Sequence, residues 1–502
     1  METFAQAVAL VATQEALLAI VLSCMFGLFV GAIPGLTATM ATAILVPFTF
    51  YMSPIPAIAT VIACTAMAIT AGDIPSALLR IPGTPSSAAY TEEAYAMTKQ
   101  GRGSQALGIS IVASCIGGLF GFVVLAITAP MLAKAALRFS SFEYFWLAVL
   151  GLSCASLISS GGPLKGLLAL FLGLSVSTIG MDPLTGTPRF TFGTVDLMGG
   201  ISFVPAMIGL FAIGEMLKYR PGATALTAAA QVKNPYKGIG AILRKYQVNL
   251  WRGSAFGTLI GALPGAGGDL GAWISYAMAK RFSKTPEKFG KGHEEGLVEA
   301  GACNNSALSA AWIPAMVFGI PGDAVTAIAV GILFMKGLNP GPQLLTQNPQ
   351  NFYAVMLIFL IANLLLIPLG WLAVRAANKI FRISRAYLNG GIIVFSVVGA
   401  YAAENSVFGI LVMGLFGALA YVFHRARFPV APIILGMVMG PMLEHNFTTS
   451  MIISQGNPLG FFSRPLAATL GAIVILLWIS PLIVRLLRRR SPAQAAGPSV
   501  SE

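Results

Sequence analysis

No lysine or arginine occurs before Arg80, and the chain opens with apolar runs of about 20 residues, the length that crosses a hydrocarbon core of about 30 Å. Apolar windows fall at about residues 16–34, 37–52, 55–72, 105–131, 142–159, 164–180 and 198–217. They continue at about 250–263, 269–279, 303–335, 351–374, 390–423, 430–443 and 466–487. Some are too short to span and others too long, so the expected count is roughly 11 to 14 membrane segments. Composition agrees with this: 56% of residues are hydrophobic and 10% charged, against roughly 45–50% and about 25% in a soluble domain. Mean hydropathy is +0.80. So little charge cannot coat a water-facing surface, which excludes a soluble enzyme, a disordered chain and a secreted disulfide scaffold. Long unalternating runs do not match the period-two strands of a barrel. The expected fold is therefore an all-α polytopic membrane protein.

The net charge of +13 raises the question of nucleic acid, and the placement of the bases answers it. Twelve lie between Lys218 and Lys291, four between Arg375 and Arg385, and four between Arg485 and Arg490, all in polar gaps. That is the positive-inside pattern; it puts the 218–252 linker and the C-terminus in the cytoplasm and leaves no reason to expect a nucleic acid partner. The first apolar stretch lacks the basic n-region of a cleaved signal and is expected to be retained. Cys24, Cys64, Cys115, Cys154 and Cys303 stand singly in apolar surroundings and read as small core residues.

A duplication is the most specific signal. Gly31-Ala-Ile-Pro34-Gly35 recurs as Gly261-Ala-Leu-Pro264-Gly265. Ile74-Pro75, five residues, then Ile81-Pro82-Gly83 recurs as Ile313-Pro314, five residues, then Ile320-Pro321-Gly322. The order implies a first membrane repeat over 1–217, a basic cytoplasmic linker over 218–252, a second repeat over 253–490 and a disordered tail over 491–502. Proline removes an N–H and clashes with the preceding turn, while glycine permits positive φ, so each Pro-Gly is expected to open its helix. At membrane depth such backbone is tolerated only where protein or a water-filled cavity satisfies it. Secondary transporters use paired interruptions in inverted repeats to bind solute near the midplane; a mere packing kink is the alternative. Basic residues flank 253–279 on both sides, and 27 residues are too few for two spans of about 20. A re-entrant hairpin tipped at Pro264-Gly265 fits, as does a single kinked span.

Counting from each Pro-Gly, Thr39 corresponds to Asp269 and Thr84 to Asp323, so the second copy gains two carboxylates. Ionisable groups beside helix breaks in a membrane are candidate sites for a coupling ion, Na⁺ or H⁺; an interfacial helix cap is the plainer alternative. Asp73, whose counterpart is Trp312, is a third candidate. For the substrate, the candidates are Gly31, Pro34, Gly35, Thr37, Thr39, Pro82, Gly83, Thr84, Ser86 and Ser87 in the first half. In the second they are Pro264, Gly265, Gly267, Asn304, Asn305, Ser306, Pro321 and Gly322. Hydroxyls and amides near helix N-termini hold anions without a buried formal charge. Arg80 either pairs with a substrate carboxylate or snorkels to the interface. Glu404-Asn405 and Glu444-His445-Asn446 are expected in loops or at the interface.

Other chemistries find no support. No GxxxxGK[ST] occurs, and His293-Glu294-Glu295 lacks the second histidine of a zinc helix, so neither a metal nor any cofactor is expected. Gly265-Ala-Gly-Gly268 has no strand–helix context for a dinucleotide. Gly267-Gly268-Asp269 approaches an intramembrane aspartyl protease element but has no Tyr-Asp partner.

The chain resembles the large permease subunit of tripartite tricarboxylate transporters, the TctA family, over about residues 15–485. The resemblance rests on Gly31-Ala-Ile-Pro-Gly-Leu-Thr, Ile81-Pro-Gly-Thr-Pro, Gly261-Ala-Leu-Pro-Gly-Ala-Gly, Ala302-Cys-Asn-Asn-Ser, Phe318-Gly-Ile-Pro-Gly-Asp, Tyr401-Ala-Ala-Glu-Asn, and the stretch from Phe428-Pro-Val-Ala-Pro to Gly440-Pro-Met-Leu-Glu. It implies a non-enzymatic bacterial inner-membrane carrier that works with a small membrane subunit and a periplasmic solute-binding protein. It further implies ion-driven symport of tricarboxylates or related small organic carboxylates. A membrane-embedded enzyme acting on a lipid-linked substrate and a passive channel are the competing readings.

Overall fold

A computed structural model describes residues 2–158, 162–182, 185–218, 234–264, 267–380 and 385–489. Gly265, part of the predicted linker (219–233) and the tail 491–502 lie outside the described residues. The molecule is helical almost throughout; among the described residues, strand pairing is confined to Gly180–Met181 with Pro188–Arg189. Among the described residues, six helices are long and apolar enough to cross a membrane, and seven more apolar helices have 10–17 residues. The protein is an all-α polytopic membrane protein. The linker is helical from Ile239 onward.

All four Pro-Gly points interrupt helix. Gln14–Gly31 and Ala38–Thr49 flank Pro34, and Gln247–Gly261 and Gly267–Phe282 flank Pro264. Asp73–Leu79 ends before Pro82, and Glu294–Phe318 ends before Pro321, with Ala324–Met335 beyond it. Pro47, Pro130, Pro314 and Pro441, none followed by glycine, sit inside continuous helices. Glycine's contribution differs between the breaks. Gly35 adopts φ +83°, which side chains rarely tolerate. Gly83 is instead needed for close approach: a Cβ there would collide with the backbone of Gly72, as one at Gly322 would crowd that of Ala311.

The flanking helices of the first break in each half lie side by side. They form a first hairpin (Gln14–Gly31, Ala38–Thr49) and a second (Gln247–Gly261, Gly267–Phe282), not single kinked rods. The second hairpin's arms have 15 and 16 residues, about 22–24 Å of helix, short of a hydrocarbon core of about 30 Å. Each hairpin rests on a core helix. The first core helix is Pro54–Ala71, continued past Gly72 as Asp73–Leu79; the second is Glu294–Phe318. Every residue from Glu295 to Val317 is buried, and the first core helix is nearly as enclosed. Helices hidden on all sides form the centre of a large helical body.

Small residues set the spacing identically in the two halves. On the first hairpin, Gly27 faces the carbonyl of Cys64 and Gly31 that of Ala68. On the second, Gly257 faces that of Cys303 and Gly261 that of Ala307. Without a hydrophobic drive between helices in lipid, such close backbone contact is what holds them. Two long helices then tie the halves together. Gly103–Ala136 packs on the second core helix and Pro349–Ile380 on the first. The long helices also touch each other, Gly118 beside Asn363 and Gly370 beside Ile111, so they run antiparallel.

Four cysteines are buried and Cys154 is partly so. The expectation of loop placement fails for Glu444, His445 and Asn446, which lie on the helix Ala431–Ile453; Pro441 does not end that helix, and Arg189 neutralises the Glu444 carboxylate. Glu404 likewise ends the helix Arg385–Glu404, and only Asn405 turns, with φ +50°.

Candidate functional site

The second arm of each hairpin meets the element that follows the other half's second break. The arm Ala38–Thr49 packs on Ala324–Met335, and the arm Gly267–Phe282 packs on the short turn Ser87–Ala89 that follows Pro82. The indole Nε1 of Trp273 donates to the carbonyl of Pro85 at 3.2 Å. Next to it, buried Ser86 lies close to the Asp269 carboxylate. Asp269 is solvent-accessible although both halves surround it, as expected of a group lining a wet cleft. Asp323 lies within Coulombic range of it, with its Cβ 3.4 Å from where a Gly267 side chain would begin. Ser86, Gly267, Asp269 and Asp323 are thus drawn together from three separate segments.

Asp323 is also a helix cap. Its Oδ1 accepts from the Thr326 amide at 2.7 Å and the Thr326 hydroxyl at 2.8 Å, in a full capping box. Helix N-termini follow three of the breaks, at Ala38, Gly267 and Ala324, each carrying partial positive charge from unpaired amides.

The first-half hydroxyls are mostly engaged with one another. Thr84 Oγ1 accepts from the Ser87 amide at 3.1 Å and shares a hydrogen bond with Ser86 at 3.0 Å, while Ser87 Oγ accepts from the Thr84 amide at 3.0 Å. This knot shapes the turn after Pro82. Thr37 caps its helix by accepting from the Met40 amide at 3.1 Å. Thr39 and Thr37 are half-buried, Gly31 and Pro34 buried, and Gly35 and Pro82 exposed. In the second half Pro321 and Gly322 are buried. Pro264 and Ile320 both lie beside Gly151, so the two second-half breaks are neighbours.

Asn304, Asn305 and Ser306 occupy the middle of the second core helix. Asn305 Oδ1 accepts from Thr70 at 3.4 Å, and Ser306 Oγ donates to the Cys303 carbonyl at 3.0 Å. Asn304 Nδ2 donates to Tyr90 Oη at 3.4 Å. Its Oδ1 is buried without a partner among the described residues and faces Gly268, at the start of the Asp269 arm. Tyr90 in turn donates to Asp73 Oδ1 at 2.8 Å, and Ser110 donates to Asp73 Oδ2. Asp73 is 2% exposed and forms no ion pair among the described residues. A polar chain therefore runs from Ser110 through Asp73 and Tyr90 to Asn304. Tyr90 and Ser110 escaped the sequence reading because nothing in the local pattern separates them from other buried polar residues.

Arg80 stands apart from this cluster. It ends the first core helix in a left-handed conformation, φ +58°, and pairs with Glu92 at 3.0 Å with more than half its side chain exposed. A large cavity, about 930 Å³, is not centred on the carboxylates. It begins one turn before Pro321, at Phe318 and Gly319, and extends past Phe203, Phe334 and Tyr144 to His445 and Asn446.

A buried helical core, interrupted at matched points that converge on carboxylates, hydroxyls and an unpartnered amide oxygen, defines a multi-pass membrane protein with an internal polar site. The chain matches the family described as "Tripartite tricarboxylate transporter TctA family" over residues 17–435, and it belongs to that family. Membership makes it a membrane-transporter component and points to a transporter, not an enzyme. It is 34% identical over 450 residues, 89% of either chain, to an uncharacterised 52.8 kDa protein in the TAR-I ttuC' 3' region of Agrobacterium vitis. It is 35% identical over 230 residues to an uncharacterised protein in the TAR-II ttuC' 3' region of the same organism, covering 45% of this chain and 95% of the relative. No solved structure matches the chain at a significant level.

Proposed function

We propose that the chain is the permease of an ion-gradient-driven importer of tricarboxylates or related small organic carboxylates. It works in a bacterial inner membrane with its C-terminus in the cytoplasm, joined by a small membrane subunit and fed by a periplasmic solute-binding protein. The observation that carries this reading is the reciprocal packing of the four breaks, which gathers Asp269, Asp323, Ser86 and Asn304 at one place. The antiparallel run of the two long helices supports an inverted relation between the halves, the arrangement in which one site faces either side in turn. Carboxylates of the solute meet helix N-termini, amides and hydroxyls. Na⁺ or H⁺ binds at Asp269 and Asp323, with Asp73 as a third carboxylate, and offsets the cost of holding negative charge at membrane depth.

The test uses vesicles containing the chain and its small subunit, supplied with the binding protein and the acid that protein selects in a screen. A sodium or proton gradient is expected to drive accumulation, and Asp269→Asn and Asp323→Asn each to reduce coupled uptake by roughly tenfold or more. Unimpaired coupled uptake by both variants refutes the ion assignment. Uptake that never exceeds equilibrium indicates a passive channel, and product formed in detergent without a gradient indicates an enzyme acting on a lipid-linked substrate.

A further inference from the structure

Away from the breaks, a second cavity of about 320 Å³ adjoins the large one, and the two share Ile201, Met437 and Pro441 in their walls. Arg189 lines this smaller cavity, and among the described residues no other lysine or arginine lines either. It projects from the strand pair between Gly180 and Arg189 toward Glu444, about 20 Å along the helix from Ala431. Its guanidinium grips Glu444 in a fork, Nη1 at 2.5 Å and Nη2 at 3.1 Å, with Asp182 at 3.5 Å from Nη1. The Nε–H is buried and has no hydrogen-bond partner among the described residues.

The geometry points to a second anion site here, in which Arg189 receives a carboxylate of the arriving solute in exchange for Glu444. This rests on the reading above that the solute is a carboxylate, and it adds a station before the breaks. The argument is one of shape and charge. A guanidinium fork recognises any carboxylate in the same planar geometry, so a solute carboxylate fits where Glu444 now sits. One cation faces two carboxylates, so the solute enters by replacing a side chain, not by joining the group. The two partners' side chains are each 27% exposed, so exchange requires no dry, unpaired charge. The unused Nε–H offers a further donor to a solute with more than one carboxylate.

The experiment is calorimetric titration of the full chain in detergent with citrate, succinate and uncharged trimethyl citrate, with melting temperature as the check on folding. Glu444→Gln is expected to tighten citrate binding by roughly tenfold or more, to tighten succinate less, and to leave the ester unchanged. Adding Arg189→Gln is expected to abolish the gain. If that double variant does not fold, Arg189→Lys in the same background keeps the charge, loses the fork, and is expected to lose most of the gain. The site is overturned if Glu444→Gln binds citrate no tighter than the parent, or if the gain survives both replacements of Arg189. Coupled uptake without the gain overturns this site alone; the gain without coupled uptake overturns the transport reading alone.

Discussion

Cys64 and Cys303 stand at matching points of the two core helices, each with its carbonyl beneath a hairpin glycine, Gly27 for the one and Gly257 for the other. A β-carbon in either place would strike backbone, which cannot rotate away. Gly27→Val and Gly257→Val are each expected to destabilise by about 1–3 kcal/mol or more, read as a lower melting temperature in detergent. Gly414, on the helix Val407–Arg425, has open space beside it. Gly414→Ala is expected to be neutral or to stabilise by up to about 1 kcal/mol.

The Glu299 side chain is wholly buried on the second core helix and is held by Arg252 Nε at 2.8 Å and Nη2 at 2.5 Å, with Asn249 Nδ2 at 2.7 Å. Removing the cation alone strands a charge. Arg252→Ala is expected to cost about 3–5 kcal/mol, and Arg252→Ala with Glu299→Gln much less. Chemical denaturation of the two variants checks the difference, and equal losses would contradict it.

Glu93 ties the first half to the segment before the second core helix. Its carboxylate accepts from the amides of Gly290, Gly292 and His293, the latter two at 2.8 Å, and from Tyr276 Oη at 2.8 Å. Glu93→Ala is expected to speed hydrogen exchange at those three amides by about tenfold or more, while the core helices exchange as before.

Tyr90→Phe takes one of two side-chain donors from buried Asp73 and a partner from Asn304. The expected cost is about 1–3 kcal/mol. Coupled uptake in vesicles is expected to fall with it, and full uptake at normal stability would remove the polar chain from any part in transport.

The breaks were legible because their cause is local. A proline followed by glycine stops the helix at Pro34, Pro82, Pro264 and Pro321, whereas Pro47, Pro130, Pro314 and Pro441 are absorbed. The repeat offset also pairs Cys64 with Cys303, but only the packing reveals what the pairing is for. Site chemistry was harder to see. Thr84, Ser86 and Ser87 look alike in sequence, yet the fold turns Ser86 to Asp269 and binds the other two into their own turn. Tyr90, Ser110 and Asn363 join the polar interior through contacts distant in sequence. Arg80 sits close to the motif in the chain but leaves on a left-handed turn toward Glu92.

A glycine seated on a main-chain carbonyl makes a joint without play. With Gly27 and Gly31 seated on the first core helix, and Gly257 and Gly261 on the second, neither hairpin has room for bulk at its support without striking backbone. Any rearrangement that carries a solute across is therefore expected to slide along seams other than these two.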